Sequence, residues 1–74
     1  MVVKTASGSQ YIFADKNNKT YFMKGLMEGI VVSLEGLQVG SRLTINFHKC
    51  NPYTYEPQRD LTTLITSPIT EIVY

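Results

Sequence analysis

Residues 42–48, Arg-Leu-Thr-Ile-Asn-Phe-His, alternate polar and apolar side chains without a break. Successive side chains of an extended chain point to opposite faces, so Leu43, Ile45 and Phe47 share one face. Arg42, Thr44, Asn46 and His48 share the other. A helix would scatter the same apolar positions around its axis. The segment therefore predicts a strand with one face in a core and one in water, and it obliges the rest of the chain to supply a sheet.

The remaining segments fit that demand. Residues 9–15 alternate Tyr11 and Phe13 against Ile12 and Ala14 and predict a strand. Lys16-Asn17-Asn18-Lys19 is a polar turn whose asparagines tolerate positive φ, so residues 20–24 are expected to return as its hairpin partner. A third strand runs from Ile30 to Leu34 and ends at Glu35-Gly36. Gly36 and Gly40 bracket a short link into the strand at 42–48. Residues 49–60 read as a long polar loop broken by two prolines, a kind of loop that is functional or mobile in so small a domain. Residues 61–65 predict another strand, and Ile69–Tyr74 a last one. Pro68 cannot donate to a ladder, so Thr66-Ser67-Pro68 marks a bulge, bend or edge. Residues 25–29 are open to two readings, because their apolar spacing suits a helical turn while two glycines in five residues oppose it. The expected fold is mostly β: a single domain over residues 1–74, built as a small barrel or strongly bent antiparallel sheet of roughly five to six strands, with room for one short helical turn. The alternative is an α+β fold with one helix around residues 23–33.

A chain of 74 residues forms one small core, and such cores usually need a staple. Cys50 is the single cysteine, so no intramolecular disulfide is available, and no Cys/His cluster offers a structural metal. Self-association is the remaining common device, and a homo-oligomer is expected. Seven Lys and Arg against six Asp and Glu leave a net charge of +1, which argues against a large basic nucleic-acid surface. The first residues carry no apolar leader segment, no stretch is long enough to span a bilayer, and a lone thiol suits a reducing compartment; the expected location is the cytoplasm, with no membrane partner.

Three short segments carry a resemblance. Thr5-Ala6-Ser7-Gly8-Ser9-Gln10-Tyr11, Val39-Gly40-Ser41-Arg42-Leu43-Thr44-Ile45 and Thr66-Ser67-Pro68-Ile69-Thr70-Glu71-Ile72 are similar to the opening, middle and ending of short bacteriophage proteins of uncharacterised activity. Where that pattern has a basic residue before the final Thr-Ser-Pro, this chain has Ile65. The resemblance implies a phage-type accessory protein in a host cell and brings no established activity with it.

Two hydroxyl-rich corners are the candidate binding elements: Ser7-Gly8-Ser9 at the entry to the first expected strand, and Thr66-Ser67 before the last. First and last strands are neighbours in a closed barrel, so the corners can converge. Glycine admits a ligand close to the backbone, and hydroxyls with successive N–H groups suit phosphate. The alternative is that these side chains bond their own backbone and hold turns. Tyr53 and Tyr55, with Arg59 nearby, sit in the expected loop, where tyrosines can stack a base and a guanidinium can grip phosphate; they can equally cover a bare edge or a subunit contact. Arg42 is a second candidate cation.

Nothing in the sequence assembles a catalytic centre. His48 and Cys50 stand two apart, yet a zinc site needs three or four ligands and a thiolate nucleophile needs an oriented base and an oxyanion site. The carboxylates are scattered, and no phosphate-binding or dinucleotide motif occurs. The expectation is a non-enzymatic, cofactor-free protein that oligomerises and captures a small nucleotide-like anion, such as a cyclic-oligonucleotide immune signal, in an anti-defence role. The expected site is Ser7, Gly8, Ser9, Arg42, Tyr53, Tyr55, Arg59, Thr66 and Ser67. Two alternatives are a barrel that binds single-stranded nucleic acid and a module that docks on a host protein.

Overall fold

A computed structural model describes residues 1–50 and 56–74 of the chain. Six antiparallel strands follow one another around a closed barrel: β1 (Val2–Thr5), β2 (Gln10–Lys16), β3 (Lys19–Lys24), β4 (Met27–Glu35), β5 (Arg42–Cys50) and β6 (Pro57–Val73), with β6 returning to β1. The mostly-β small barrel expected from the sequence is the fold. No described helix is long and apolar enough to cross a membrane.

Alternation decides which side chains enter the core. Leu43, Ile45 and Phe47 of β5 are fully buried, joined by Tyr11 and Phe13 of β2, Phe22 of β3, Val3 of β1 and Ile69 of β6. Burying each such side chain stabilises the fold by about 1.5–3 kcal/mol. The aromatic centre is a run of rings: Phe22 meets Phe47 edge-on at 4.4 Å, and Phe13 stacks on Phe22 at 6.1 Å. Gly29 of β4 faces this run because nothing larger fits. A Cβ there would lie 2.6 Å from the Phe47 ring and 2.7 Å from the Phe22 ring.

Asn17 and Asn18 both adopt left-handed backbone, with φ of 53° and 62°, and join β2 to β3 in the expected tight hairpin. The short amide side chain makes that conformation accessible at low cost. The helical turn allowed for in residues 25–29, and the α+β alternative with it, are corrected: Gly25 and Leu26 turn, and Met27-Glu28-Gly29 already lie in β4, opposite Lys24, Met23 and Phe22. Ladder pairing and the space left for two rings at Gly29 outweigh the weak helical spacing.

Other boundaries move as well. β1 has no counterpart among the expected strands, although Val3 and Thr5 face the core. The loop expected over 49–60 is shorter at both ends, since β5 runs to Cys50, β6 begins at Pro57, and these two residues pair. The two strands expected at 61–65 and 69–74 are one strand of 17 residues. Its first part pairs with β5 and its last part with β1; around Thr66-Ser67 the register against β5 shifts, which is the expected bulge.

Candidate functional site

The bulge of β6 is where the barrel closes, and the three segments quoted above for their resemblance meet there. The Ala6 amide donates to the Pro68 carbonyl at 2.9 Å, the Gly40 amide to the Ile69 carbonyl at 2.8 Å, and the Ile69 amide to the Ser41 carbonyl at 2.8 Å. The β1–β2 turn, the end of the β4–β5 link and the middle of β6 thus share one corner.

Hydroxyls knit that corner together. The Ser7 amide donates to Ser67 Oγ at 3.1 Å, and Ser67 Oγ donates to Ser7 Oγ at 3.1 Å. Ser7 Oγ donates in turn to Ser9 Oγ at 3.3 Å and lies 3.2 Å from Thr5 Oγ1. The relay therefore runs Ser67, Ser7, Ser9, and the Ser9 hydroxyl hydrogen has no acceptor among the described residues. Gly8 turns the chain at φ 87°, and the space where its Cβ would stand is empty to 4 Å. Beneath the relay, Thr66 is 2% exposed; its Oγ1 accepts from the Leu43 amide at 3.0 Å and donates to the Ser67 carbonyl at 2.7 Å. Thr66 fills the gap the bulge opens in the ladder.

Arg42 is the cation of the corner. It pairs with Pro68 across the sheet, and Nη1 donates to the Thr66 carbonyl at 3.4 Å while the residue stays exposed. Its other guanidinium hydrogens have no acceptor among the described residues. Lys4 lies nearby on β1 with its ammonium 3.6 Å from Glu71.

Ser7, Gly8, Ser9, Arg42, Thr66 and Ser67 therefore come together. Arg59 does not: it sits near the start of β6, eight residues from Ser67, or about 26 Å along an extended strand. Tyr53 and Tyr55 lie outside the described residues. Of the remaining cations, Lys16 and Lys19 flank the β2–β3 turn, and Lys24 lies 5.2 Å over the Tyr11 ring.

His48 and Cys50 form no catalytic pair. His48 Nδ1 is 3.1 Å from the Asp60 carbonyl, whereas Cys50 turns inward, 8% exposed, with Sγ 4.0 Å from the His48 carbonyl. Burial, reinforced by the Glu28 carboxylate, pushes the Cys50 thiol above its ordinary pKa and favours the unreactive thiol. The described residues contain no group of three or more His, Cys, Asp or Glu that could hold a metal.

Sequence reasoning missed a second feature, on the outside of the barrel. Val73, Val2, Ile12 and Met23 are ladder partners in one outward row across β6, β1, β2 and β3. Ala14, Tyr21, Ile30, His48 and Leu61 form the adjoining row from β2 to β6. Ile12, Met23, Val73 and Leu61 are 41–55% exposed, so the wall is apolar and open. The available signal was local: β2 carries apolar residues on both faces, as a strand with water on one side does not require.

Comparison of the chain with protein-family models, with curated proteins and with solved structures finds no match.

Proposed function

We propose that the chain is a non-enzymatic, phage-type accessory protein that binds a small phosphate-bearing ligand, a nucleotide or cyclic oligonucleotide, at the corner and acts by sequestering it in the host cytoplasm. The convergence of Ser7, Ser67 and Arg42 supports this reading. An anion needs donors, and two groups offer them without competing acceptors among the described residues: the free edge of the Arg42 guanidinium and the terminal hydroxyl at Ser9. The open space above Gly8 gives the ligand its approach. The other hydroxyls hold one another and serve to fix these donors in place. The resemblance to short phage proteins, carried by the same three segments, supports the biological setting.

Isothermal titration with inorganic phosphate, adenosine monophosphate and a cyclic dinucleotide tests the proposal. Saturable binding of at least one probe is expected, weakened about 10–100-fold by Arg42→Ala. No saturable binding up to about 1 mM, or an Arg42→Ala variant that binds as well as the parent, overturns it.

The exposed outer wall favours a second reading, a module that works by docking on another protein. The net charge of +1 speaks against the single-stranded nucleic-acid alternative, which needs a continuous basic groove.

A further inference from the structure

We propose that the outer apolar wall centred on β3 is the face on which a second copy of this chain packs, related by a two-fold axis that lies in the plane between the two walls, perpendicular to β3. This goes beyond the ligand reading and does not depend on it.

The wall is self-complementary. Leu26, at the tip of the β3–β4 turn, is 97% exposed, a large apolar side chain with no packing in its own barrel. A notch of about 300 Å³ runs along β3, from Met23 and Glu28 beside that turn, past Tyr21 and Phe22, to Lys16 and Asn17 at the far end. The middle of β3 (Lys19–Lys24) falls between Tyr21 and Phe22, so Leu26 lies as many residues beyond it as Asn17 lies before it. A two-fold axis that runs between the two walls, across that middle and perpendicular to β3, therefore sets Leu26 of each copy over the Lys16–Asn17 end of the other's notch, twice. Isologous contacts have this reciprocal form. Between the two knobs the apolar rows containing Ile12, Met23 and Tyr21 face their own counterparts, and Tyr and Met are residue types enriched at interfaces.

The dimensions set an upper bound. The molecule measures 34 × 21 × 21 Å, so the outline of its broad side is about 700 Å², and the wall, one part of that side, suits an interface smaller than the ~800 Å² per partner of the standard class. A barrel whose buried hydrophobic residues number nine, with one cysteine and no described metal cluster, also draws stability from burying this wall.

The experiment uses the full chain. Sedimentation equilibrium over a concentration series is expected to give a monomer–dimer transition. Leu26→Lys and Met23→Glu should each weaken it at least about tenfold, because the first sets a like charge against Lys16 of the other copy and the second sets one beside Glu28, with an unchanged circular-dichroism spectrum. Ile65→Glu, on the far outer row with Glu35 and Thr44, should leave the constant unaltered. Register is read separately: in a Cys50→Ser background, Asn17→Cys combined with Leu26→Cys should give a covalent dimer on mild oxidation, and neither substitution alone should do so. The two positions sit at opposite ends of β3, too far apart to bridge within one chain. A parent chain that stays monomeric to about 1 mM, an Ile65→Glu effect equal to that of Met23→Glu, or no covalent dimer from the double variant each overturns the proposal. Ligand affinity, read through Arg42→Ala, reports on the corner alone, so the two proposals fail independently.

Discussion

The Ser7 amide and the Ser67 hydroxyl, 60 positions apart in the chain, are hydrogen-bonded at 3.1 Å where the first strand of the barrel meets the last. That contact is exposed, and the one beneath it, from the Leu43 amide to Thr66 Oγ1, is buried. Their different depths separate two mutations at neighbouring positions.

Thr66→Val should destabilise the fold by about 1–3 kcal/mol, since it leaves a buried Leu43 N–H without an acceptor. Ser67→Ala should cost about 0.5–1 kcal/mol, since water replaces what the hydroxyl gave. Urea unfolding monitored by circular dichroism measures both. Equal losses, or a larger loss at Ser67, would show that Thr66 does not carry the bulge.

Gly29→Ala should cost about 1–3 kcal/mol by overpacking. The added methyl meets two rings that already contact each other, and the His48 carbonyl stands 3.1 Å away on a third side. Thermal unfolding reads the loss; a neutral substitution would mean that the Phe22–Phe47 pair is far more yielding than an edge-on contact at 4.4 Å allows.

At the β2–β3 turn, Asn18→Val should cost about 1–2 kcal/mol, because a β-branched residue tolerates φ of 62° poorly. Asn18→Gly should be neutral or stabilising. The pair of variants isolates backbone conformation from any contact of the amide side chain; an indifferent valine would remove the left-handed turn from the account.

The raised pKa of Cys50 has a defined sign. The folded state holds the thiol proton more tightly than the unfolded chain does, so this contribution is intact below the ordinary thiol pKa and is lost as pH rises past it toward the folded value. Alkylation by iodoacetamide at pH 8 should accordingly be slow in the folded protein and accelerate on unfolding in urea. Equal rates in both states would contradict the burial seen at this side chain.

The legible parts of the fold were those set by adjacent residues. The alternation of Leu43, Ile45 and Phe47, and the paired asparagines at 17 and 18, each impose a local geometry that little can override. β1 escaped notice because only two of its side chains, Val3 and Thr5, face inward, and a four-residue strand leaves no period to recognise. β6 read as two strands because Pro68 lacks an amide hydrogen; the loss is tolerated at the place where the strand passes from one neighbour to another. At the site, closure of the barrel was enough to bring the Ser7 and Ser67 corners together in expectation. Arg59 was misplaced because strand length, not proximity in sequence to the corner, fixes its distance. Of the outer wall, β2 alone showed a sign, in its apolar residues on both faces; the full row depends on register across successive strands.

The division of β6 between two neighbours also bears on how the molecule comes into being on the ribosome. Its 17 residues are synthesised after the other five strands, and until they emerge both β1 and β5 lack a flanking partner. Until β6 is in place the five preceding strands can form only an open sheet with two bare margins, and ring closure awaits the contacts that link β6 to both β1 and β5. Non-local closure of this kind is slow, and the waiting species is the one most exposed to aggregation.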